Sequence, residues 1–423
     1  MKNDAIALLD CNNFYVSCER IFEPSVRKKP VVVLSNNDGC VISRSNEAKE
    51  IGVTMGAPLF KVINLLDDFD TAIFSSNYAL YGDMSGRVMN LLHNFTPEIE
   101  VYSIDEAFLS LEPRKHSLEK LGLSIREKMY KWTGIPVSIG IGETKVLAKI
   151  ANKRAKKDEF KEKGVLNLFR SAQTESVLKE TLVQDIWGIG YRSALKLRQN
   201  NILNAWQLRE MDNRFARRLL SVVGARIALE LRGIKCLPFE QVTTKKHNIT
   251  CSRSFGRAIT DYKEIKGATI YFLARVCEKL RKYNLAANAV TVLISTDRFR
   301  PIPWEYANSA TYSSTYPTDS TSEIQEWTIR TLERIYKDGF EYRRAGIILS
   351  GLVPSENLTK RMFEDEKYQQ QHKLMKAIDE LNQRFGKDTV RFGLRQDSGM
   401  WQMKQTKKSQ SYTTNWNEIL CVN

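Results

Sequence analysis

Cysteine and histidine, the residues that build disulfide frameworks and zinc modules, are scarce in this chain. There are seven cysteines and four histidines among 423 residues. The cysteines are scattered, and no Cys-x-x-Cys pair or Cys/His cluster at zinc spacing occurs. We therefore expect reduced thiols, as in a cytosolic protein, and neither a disulfide scaffold nor a structural zinc site.

Long apolar runs are also missing. The apolar stretch "AIALL" at 5–9 is too short for a signal peptide, and no segment approaches the roughly 18 apolar residues of a membrane span. The sequence has no internal repeats and no long low-complexity runs. We expect a cytoplasmic protein with no membrane partner.

Acidic residues are outnumbered by basic ones. The chain has 64 Lys and Arg against 49 Asp and Glu, a formal net charge of +15. Such an excess favours a polyanionic partner, and nucleic acid is a better candidate than a membrane surface. A hydrophobic content of 42% over this length predicts a folded protein of about two to four domains.

The order of helix and strand patterns divides the chain into segments. Up to Gly164, short strands and helices alternate as in an α+β unit, and residues 171–235 have mostly helical patterns. A second α/β segment spans 245–352, and a polar tail follows Pro354. The tail contains one amphipathic helix, whose packed face is predicted to hold Leu374, Ile378, Leu381 and Phe385.

Two adjacent acids interrupt the apolar, β-prone stretch "IEVYSIDEAFLSL" at 99–111. Neighbouring side chains of a flat strand point to opposite faces, so either Asp105 or Glu106 would enter the core. A charged carboxylate buried there without a partner would cost several kcal/mol. We therefore expect a sharp turn at 104–106, a cationic partner, or both.

A third acid, Asp10, ends the predicted strand at 5–9. If the chain turns at 104–106, a neighbouring strand that ends in Asp10 would bring three carboxylates to one sheet edge. Such carboxylates repel unless divalent cations neutralise them, and hard oxygen ligands suit Mg²⁺ or Mn²⁺. Two ions about 3.5–4 Å apart are the arrangement that serves phosphoryl transfer. The alternative is that the acids are solvated turn residues.

The stretches around these acids occur in a distinctive order. They are "LLDCNNFYVSCE" (8–19), "VVVLSNNDGCVISRSNEAK" (31–49), "SSNYALYGDMSGRVM" (75–89), "EVYSIDEAF" (100–108), "SIGIGETKVLAKIAN" (138–152), "VQDIWGIG" (183–190), "CSRSFG" (251–256), "WQMK" (401–404) and "YTT" (412–414). Together they closely resemble the Y-family DNA polymerases, and within them the UmuC group. The resemblance covers essentially the whole chain.

The resemblance implies an α+β multidomain fold, that of a right-hand polymerase. A palm would span 1–170, with a small fingers domain inserted at about 22–76. A helical thumb with a helix-hairpin-helix turn would occupy 171–240, and an α/β little finger would occupy 245–352. Residues 353–423 would form a C-terminal extension.

The resemblance also implies the catalytic chemistry. Asp10, Asp105 and Glu106 match the palm acids that hold two Mg²⁺ ions, with Mn²⁺ as an alternative, and the carbonyl of Cys11 would add a ligand. The primer 3′-hydroxyl would attack the α-phosphate of a dNTP in line, and pyrophosphate would leave.

A further set of residues matches the nucleotide site of the family. Tyr15 matches the steric gate, an aromatic ring against C2′ of the sugar, and Cys40 and Ile42 match the floor of the nascent base pair. Phosphate contacts are expected from Lys49 and Lys156, and Asn46 stands where many relatives have tyrosine. The alternatives are a core aromatic for Tyr15 and solvated surface charges for the lysines.

Contacts with DNA are expected from the thumb and the little finger. Gly188 and Gly190 resemble a turn whose N–H groups meet a DNA phosphate. The little-finger cations that would grip the duplex backbone are Lys245, Lys246, Arg253, Arg257, Arg281 and Lys282. Met362 and Phe363 resemble the end of a clamp-binding peptide, although its leading glutamine is missing. Much of this charge could equally be a solvated face.

The resemblance implies template-directed, low-fidelity DNA synthesis past lesions, as in SOS mutagenesis. The implied partners are primed template DNA, dNTPs, a processed UmuD-like dimer, a RecA filament and the sliding clamp, in a nucleoid-associated cytoplasmic protein. One alternative is a non-catalytic DNA-binding or scaffolding relative, and another is a two-metal nuclease or phosphotransferase. Primer extension distinguishes among the three.

Overall fold

The computed structural model describes residues 4–113, 117–157, 162–239, 246–298, 303, 305–357, 365–386, 388–391 and 403–419. The chain divides into two compact units. The first combines residues 1–243 with 406–423, and the second is 244–405. Residues of the expected C-terminal extension, 353–423, therefore belong to both units.

The first unit contains eight described strands and ten described α-helices. The strands are β1 (Ala5–Cys11), β2 (Val31–Leu34), β3 (Val41–Arg44), β4 (Ala72–Ser75), β5 (Ile99–Val101), β6 (Glu106–Leu111), β7 (Val137–Gly142) and β8 (Val165–Asn167). The helices are α1 (Phe14–Phe22), α2 (Asn46–Glu50), α3 (Leu59–Asp68), α4 (Tyr78–Leu92), α5 (Leu118–Thr133), α6 (Lys145–Ala155), α7 (Thr174–Glu180), α8 (Tyr191–Gln199), α9 (Ala205–Glu210) and α10 (Asn213–Leu231).

A five-stranded sheet in the order β5-β6-β1-β7-β8 carries the first unit. Its central strand, β1, is antiparallel to both β6 and β7. Both faces of the sheet are covered, because Ala7 and Leu9 pack with α4 and α5 while Leu8 and Phe108 pack with Ala148 of α6. This double burial explains why β1 and β6 are almost continuously apolar instead of alternating.

Helix α6 lies unusually close to strand β7. A Cβ atom on Gly140 would come within 2.0 Å of the backbone nitrogen of Asn152 and 2.3 Å of the carbonyl oxygen of Ala148. The Asn152 amide donates hydrogen bonds to the carbonyls of Leu8 and Ser138, at 3.3 and 2.8 Å. The helix is therefore held against two strands of the sheet in one register.

A smaller sheet, in the order β3-β2-β4, forms the inserted part of the first unit. Strands β2 and β3 form the antiparallel hairpin around Asn-Asp-Gly, and β4 adds to β2 in parallel. Ser45 caps α2 by accepting a hydrogen bond from the Ala48 N–H at 3.2 Å. Residues 406–419 also belong to the first unit, where Tyr412 stacks on Phe22 with ring centroids 4.8 Å apart.

The second unit is a sheet covered by helices. Its four antiparallel strands run in the order β11-β10-β12-β9. The elements are β9 (Ile249–Ile259), α11 (Tyr262–Lys282), β10 (Leu285–Thr296), β11 (Ala307–Thr318), α12 (Thr321–Ile335), β12 (Tyr342–Pro354) and α13 (Asp365–Phe385). Side chains of α11 and α12 form one core with the inner face of the sheet. In the described part of the chain, no helix is long and apolar enough to cross a membrane.

The expected packing face of α13 is wrong. Leu374, Leu381 and Phe385 are exposed and Ile378 is half-buried, whereas Met375 is the buried apolar side chain among residues 370–385. The helix is attached through charge, because the Arg281 guanidinium donates to both oxygens of Asp379 at 2.6 and 2.8 Å. The spacing of apolar residues alone cannot predict a helix contact that is formed by an ion pair.

Adding a methyl group at Gly140 should destabilise the first unit. The new Cβ of Gly140→Ala would overlap backbone atoms of α6, which cannot rotate away, and we expect a loss of about 3 kcal/mol in the free energy of unfolding. The matched control is Gly86→Ala in α4, where a Cβ meets nothing within 4 Å and should add about 0.5–1 kcal/mol. Urea denaturation followed by tryptophan fluorescence measures both; equal midpoints would contradict the close approach.

Candidate active site

Two of the three expected acids face each other across neighbouring strands. Asp10 on β1 and Glu106 on β6 are direct partners in the antiparallel register. Directly opposed residues point to the same face of a sheet, with Cβ atoms about 4.5–5.5 Å apart. The fold therefore brings residues 96 positions apart in the sequence to one sheet edge.

Asp105 lies in the turn of the β5–β6 hairpin. The N–H groups of Tyr102 and Ser103 donate to the Glu106 carbonyl at 3.0 and 3.1 Å, which closes the turn. The Cys11 N–H donates to the Asp105 carbonyl at 2.9 Å, and the Ser103 hydroxyl donates to Asp105 Oδ1 at 2.6 Å. The expected turn at 104–106 is confirmed.

Cationic partners are present as well. Lys156 Nζ lies 2.6 Å from Asp10 Oδ1, and Lys149 Nζ lies 3.1 and 2.9 Å from the two carboxylate oxygens of Glu106. Both lysines come from α6 or the residue that follows it. Both expected explanations for the paired acids, the turn and the cationic partner, therefore hold.

Lys149 is a site residue that the sequence reasoning missed. Its ammonium group lies 4.4 Å from the ring centroid of Tyr102 and 5.2 Å from that of Trp187. Trp187 Nε1 in turn donates to the Tyr102 hydroxyl at 3.1 Å. The available signal was helical spacing, because Lys145, Lys149 and Lys156 fall at i, i+4 and i+11 on one side of a predicted helix.

The charge on Asp10 is held in a nearly enclosed position. Burial raises the pKa of its carboxyl to about 6, while Lys156 lowers it and the charges on Glu106 and Asp105 raise it. Its side chain is 16% exposed. Ionised Asp10 is therefore poorly solvated and depends on a neighbouring cation.

The donor atoms suit a hard divalent cation. Carboxylate oxygens from Asp10, Asp105 and Glu106 and the nearby backbone of Cys11 are the ligand types that Mg²⁺ and Mn²⁺ prefer. The oxygens are engaged by Lys156, Ser103 and Lys149, respectively. Over the described ranges, no group of three or more His, Cys, Asp or Glu side chains is arranged as a metal cage.

A cleft of about 540 Å³ opens beside Asp10 and Asp105. Four of the expected nucleotide-site residues line it: Tyr15, Ile42, Lys49 and Lys156. Arg44 and Met55 also line it and were not predicted. The cleft thus brings Asp10, Asp105 and most of the expected nucleotide contacts together.

Cys40 and Asn46 are not among the lining residues. Cys40 is half-buried where the β2–β3 hairpin bridges to Pro58. Asn46 Oδ1 accepts hydrogen bonds from Asn13 and Lys49, at 3.2 and 3.1 Å, beside the cleft. Lys49 also donates to Asn13 Oδ1 at 2.7 Å, which joins α2 to the start of α1.

A second cleft of about 280 Å³ lies on the Glu106 side. Glu106, Lys149 and Trp187 line it, and it shares Asp10 and Lys156 with the first cleft. The acids therefore stand between two openings.

Tyr15 is placed by a sharp bend in the backbone. Asn13 adopts a left-handed conformation with φ 47° and starts α1, which turns Tyr15 toward the first cleft. The Tyr15 ring stacks on Tyr81 of α4, with centroids 4.4 Å apart and planes 17° apart. Phe14, the residue before Tyr15, is buried in the core.

Some of the expected DNA-contact residues are open to solvent, and others are already engaged by side chains of this chain. Gly188 has φ +89°, and Gly190 precedes α8 with open space around it. In the second unit Arg253 is exposed, whereas Arg257 is paired with Glu264 at 2.7 Å. Arg281 is engaged by Asp379, and Lys246 lies over the Tyr283 ring. Lys245, Met362 and Phe363 lie outside the described residues.

Family models cover most of the chain. The model of the impB/mucB/samB family matches residues 9–153, and the model of its C-terminal domain matches 246–362. The chain belongs to this family. A domain of unknown function, DUF4113, matches residues 372–422.

Individual relatives extend over almost the full length of this family member. Protein UmuC of Salmonella typhimurium is 38% identical over 98% of this chain and 99% of its own length. Protein ImpB of Salmonella typhimurium is 39% identical, with 98% of each chain covered. DNA polymerase IV of Clostridium kluyveri is 28% identical over 92% of this chain and 97% of its own. The predicted membership of the UmuC group of Y-family DNA polymerases is confirmed.

Solved structures show the same fold. A Y-family DNA polymerase chimera of Dbh and Dpo4 superimposes with a TM-score of 0.66 at 20% identity, covering 82% of this chain and 99% of that one. An insertion ternary complex of Dbh DNA polymerase gives a TM-score of 0.56 at 21% identity, with 82% and 99% covered. The expected right-hand polymerase fold is confirmed.

Removing the charge of Asp10 should stabilise the metal-free protein. A carboxyl whose pKa is higher in the folded state contributes stability below its ordinary pKa of 3.8, and this contribution is lost as the pH rises through about 6. In EDTA at pH 8, Asp10→Asn should therefore gain up to about 3 kcal/mol in the free energy of unfolding. The gain should shrink toward pH 4.5.

Urea denaturation at both pH values measures this effect. Asp83→Asn serves as the control, because Asp83 forms a surface pair with Arg87 on α4 at 2.8 Å. A gain for Asp10→Asn that is absent at pH 8, or equally large at pH 4.5, would contradict the strained charge on Asp10.

Proposed function

We propose that this family member carries out template-directed, low-fidelity DNA synthesis past lesions by two-metal nucleotidyl transfer from a dNTP to a primer 3′-hydroxyl. One observation carries the proposal: Asp10, Asp105, the Tyr15 ring and the two cations Lys49 and Lys156 line one cleft. Glu106, the strand partner of Asp10, lines the adjoining cleft. A nuclease would need the acids but has no use for an aromatic gate beside them. A non-catalytic relative would need neither.

Each acid has a role that its position supports. Asp10 and Asp105 would hold both divalent ions, Glu106 would hold the ion nearer the primer, and the Cys11 carbonyl would hold the other. When bound, the ions supply a lowered pKa for the primer hydroxyl and neutralise the triphosphate. Lys156, which is paired with Asp10, and Lys49, which also lines the cleft, would orient the phosphates.

Primer extension with the purified full-length chain tests the activity. Asp105→Asn should reduce extension with Mg²⁺ and dNTPs at least about a hundredfold, because a carboxylate that meets the charge of the reacting groups is lost. Glu119→Gln, an exposed acid on α5 that pairs with Lys163, is the control. The assay includes a processed UmuD-like dimer and a RecA filament, the proposed activators. Unreduced extension by Asp105→Asn would overturn the polymerase assignment.

Tyr15 would act as the steric gate against ribonucleotides. Its ring lines the cleft and is fixed by stacking on Tyr81, so a ribose 2′-hydroxyl would meet a wall that cannot move aside. Tyr15→Ala should lower the preference for dCTP over CTP at least about tenfold in kcat/KM. Tyr130→Ala, an exposed tyrosine on α5, should leave the preference unchanged. An unchanged preference in Tyr15→Ala would show that Tyr15 is only a core aromatic.

The outer face of the second unit's sheet suits a DNA backbone. On β11, Ala310 and Tyr312 pack into the core, so Ser309, Thr311 and Ser313 face the other way and are exposed. Thr311 shares a hydrogen bond of 2.8 Å with Thr291 of β10 across this face. The hydroxyl groups on this face would contact phosphates without reading bases. Arg253 and Arg257 of the second unit, and separately the turn at Gly188 and Gly190 of the first unit, are also proposed phosphate contacts.

The domain assignments follow from this proposal. The palm would span 1–170 with fingers at about 22–76, the thumb 171–240, the little finger 245–352 and the extension 353–423. The processed UmuD-like dimer, the RecA filament and the sliding clamp remain proposed partners, the last through Met362 and Phe363. The proposed location is the cytoplasm, in association with the nucleoid.

A further inference from the structure

Residues 406–412 belong to the first unit and contact the elements that carry Tyr15 and Tyr81, through Glu19 of α1 and Asn77 at the start of α4. The segment extends the edge of the fingers sheet, because the Ser75 N–H donates to the Lys407 carbonyl at 2.9 Å and the Lys407 N–H donates to Ser75 Oγ at 3.0 Å. Thr406 donates to Asp38 Oδ2 through its N–H at 3.0 Å and its hydroxyl at 3.1 Å. These hydrogen bonds therefore fix the position of residues 406–407 on the first unit.

Ser409 joins a buried network of hydrogen bonds next to this position. Its hydroxyl donates to Glu19 Oε1 at 3.1 Å, and the Tyr81 hydroxyl donates to the same oxygen at 2.5 Å. Glu19 and Tyr81 have no exposed surface. Burial raises the pKa of Glu19, and the hydrogen bonds from Tyr81 and Ser409 lower it.

Asn77 ties the same segment to the start of α4. Its side-chain oxygen caps the helix by accepting from the Leu80 N–H at 3.3 Å. Its amide nitrogen donates to Ser409 Oγ at 3.0 Å and to the carbonyls of Ser409 and Gln410 at 3.2 and 3.1 Å. One side chain thus joins residues 409–410 to the first turn of the helix that carries Tyr78 and Tyr81.

Tyr81 links these hydrogen bonds to Tyr15, which lines the cleft. Its ring stacks face to face on Tyr15, and Tyr78 packs edge-on against Tyr15 with centroids 6.2 Å apart. The chain of direct contacts therefore runs from Ser409 through Glu19 and Tyr81 to Tyr15. No other group hydrogen-bonds Glu19 Oε1 in the described part of the chain, and Oε2 has no partner there.

We propose that Ser409 is a positioning residue for sugar selection, acting on Tyr15 through Glu19 and Tyr81, so that residues 406–412 form the outer layer of the gate. This rests on the proposed role of Tyr15 as the gate. A buried carboxylate is stable only when hydrogen-bond donors satisfy its oxygens. Glu19 therefore holds the Tyr81 hydroxyl in one position only while Ser409 also donates a hydrogen bond to the carboxylate. Without Ser409, Glu19 and the Tyr81 ring become free to shift, and Tyr15 loses a fixed support.

Nucleotide selectivity in primer extension tests the proposal. Ser409→Ala and Tyr81→Phe each keep the packing and remove one hydroxyl, and each should lower the kcat/KM preference for dCTP over CTP about fivefold. Ser409→Thr restores a hydroxyl and should restore the preference. Gln410→Ala is the matched control, because Gln410 is exposed and its contact with Asn77 is made by the backbone carbonyl, which the substitution keeps.

A second measurement does not depend on activity. Hydrogen exchange of the DNA-free chain should quicken in Ser409→Ala for amides of α1 and of the first two turns of α4, and remain unchanged for amides of α10. A variant that lost stability as a whole would quicken all three regions equally, and that result would overturn the positioning role.

The outcomes separate the two proposals. If Tyr15→Ala lowers selectivity and Ser409→Ala does not, the gate stands and the role of Ser409 is wrong. If Tyr15→Ala leaves selectivity unchanged, the gate assignment itself fails, and the exchange data then report only whether residues 406–412 brace α1 and α4.

Discussion

The close contact between α6 and β7 is the constraint on which the rest of the first unit depends. Gly140 lets the helix approach so near that its backbone touches the strand, and Asn152 then fixes its register. In that register Lys145 pairs with Glu100, Lys149 with Glu106 and Lys156 with Asp10. The sheet can bury the carboxylates of Glu100, Glu106 and Asp10 without a large loss of stability, because α6 and the residue after it supply one lysine for each.

This arrangement resolves a conflict between folding and chemistry. Hydrolysis or transfer of phosphates needs several negative groups together, whereas a folded sheet is destabilised by that clustering. The lysines reduce the repulsion without removing the acids from the cleft. Because Lys149 also lies over Tyr102 and Trp187, the aromatic turn at 187–190 is held beside the acids by the same ammonium group.

Local patterns in the sequence predicted the acids, their turn and the helices around them, because these features depend on neighbours within a few residues. Strand β11 was not predicted, since its Ser- and Thr-rich sequence alternates only weakly between Ala310, Tyr312 and polar residues. The buried side of α13 was misjudged because an Arg281–Asp379 pair, not apolar area, attaches it. The position of residues 406–412 could not be predicted from nearby sequence, because the residues that they contact in the rest of the first unit are more than 300 positions away.

That separation has a consequence for how the molecule is made. Asn77 and Ser409 are 332 residues apart, yet the first turn of α4 reaches its final contacts only when both are present. During synthesis the sheet, the acids and the aromatic stack can form early, while residues 406–412 emerge last of all the layers around the cleft. A chain interrupted before residue 406 would contain Asp10, Asp105, Glu106 and the stacked Tyr15 and Tyr81, but it would lack the hydrogen bonds that Ser409 forms with Glu19 and Asn77.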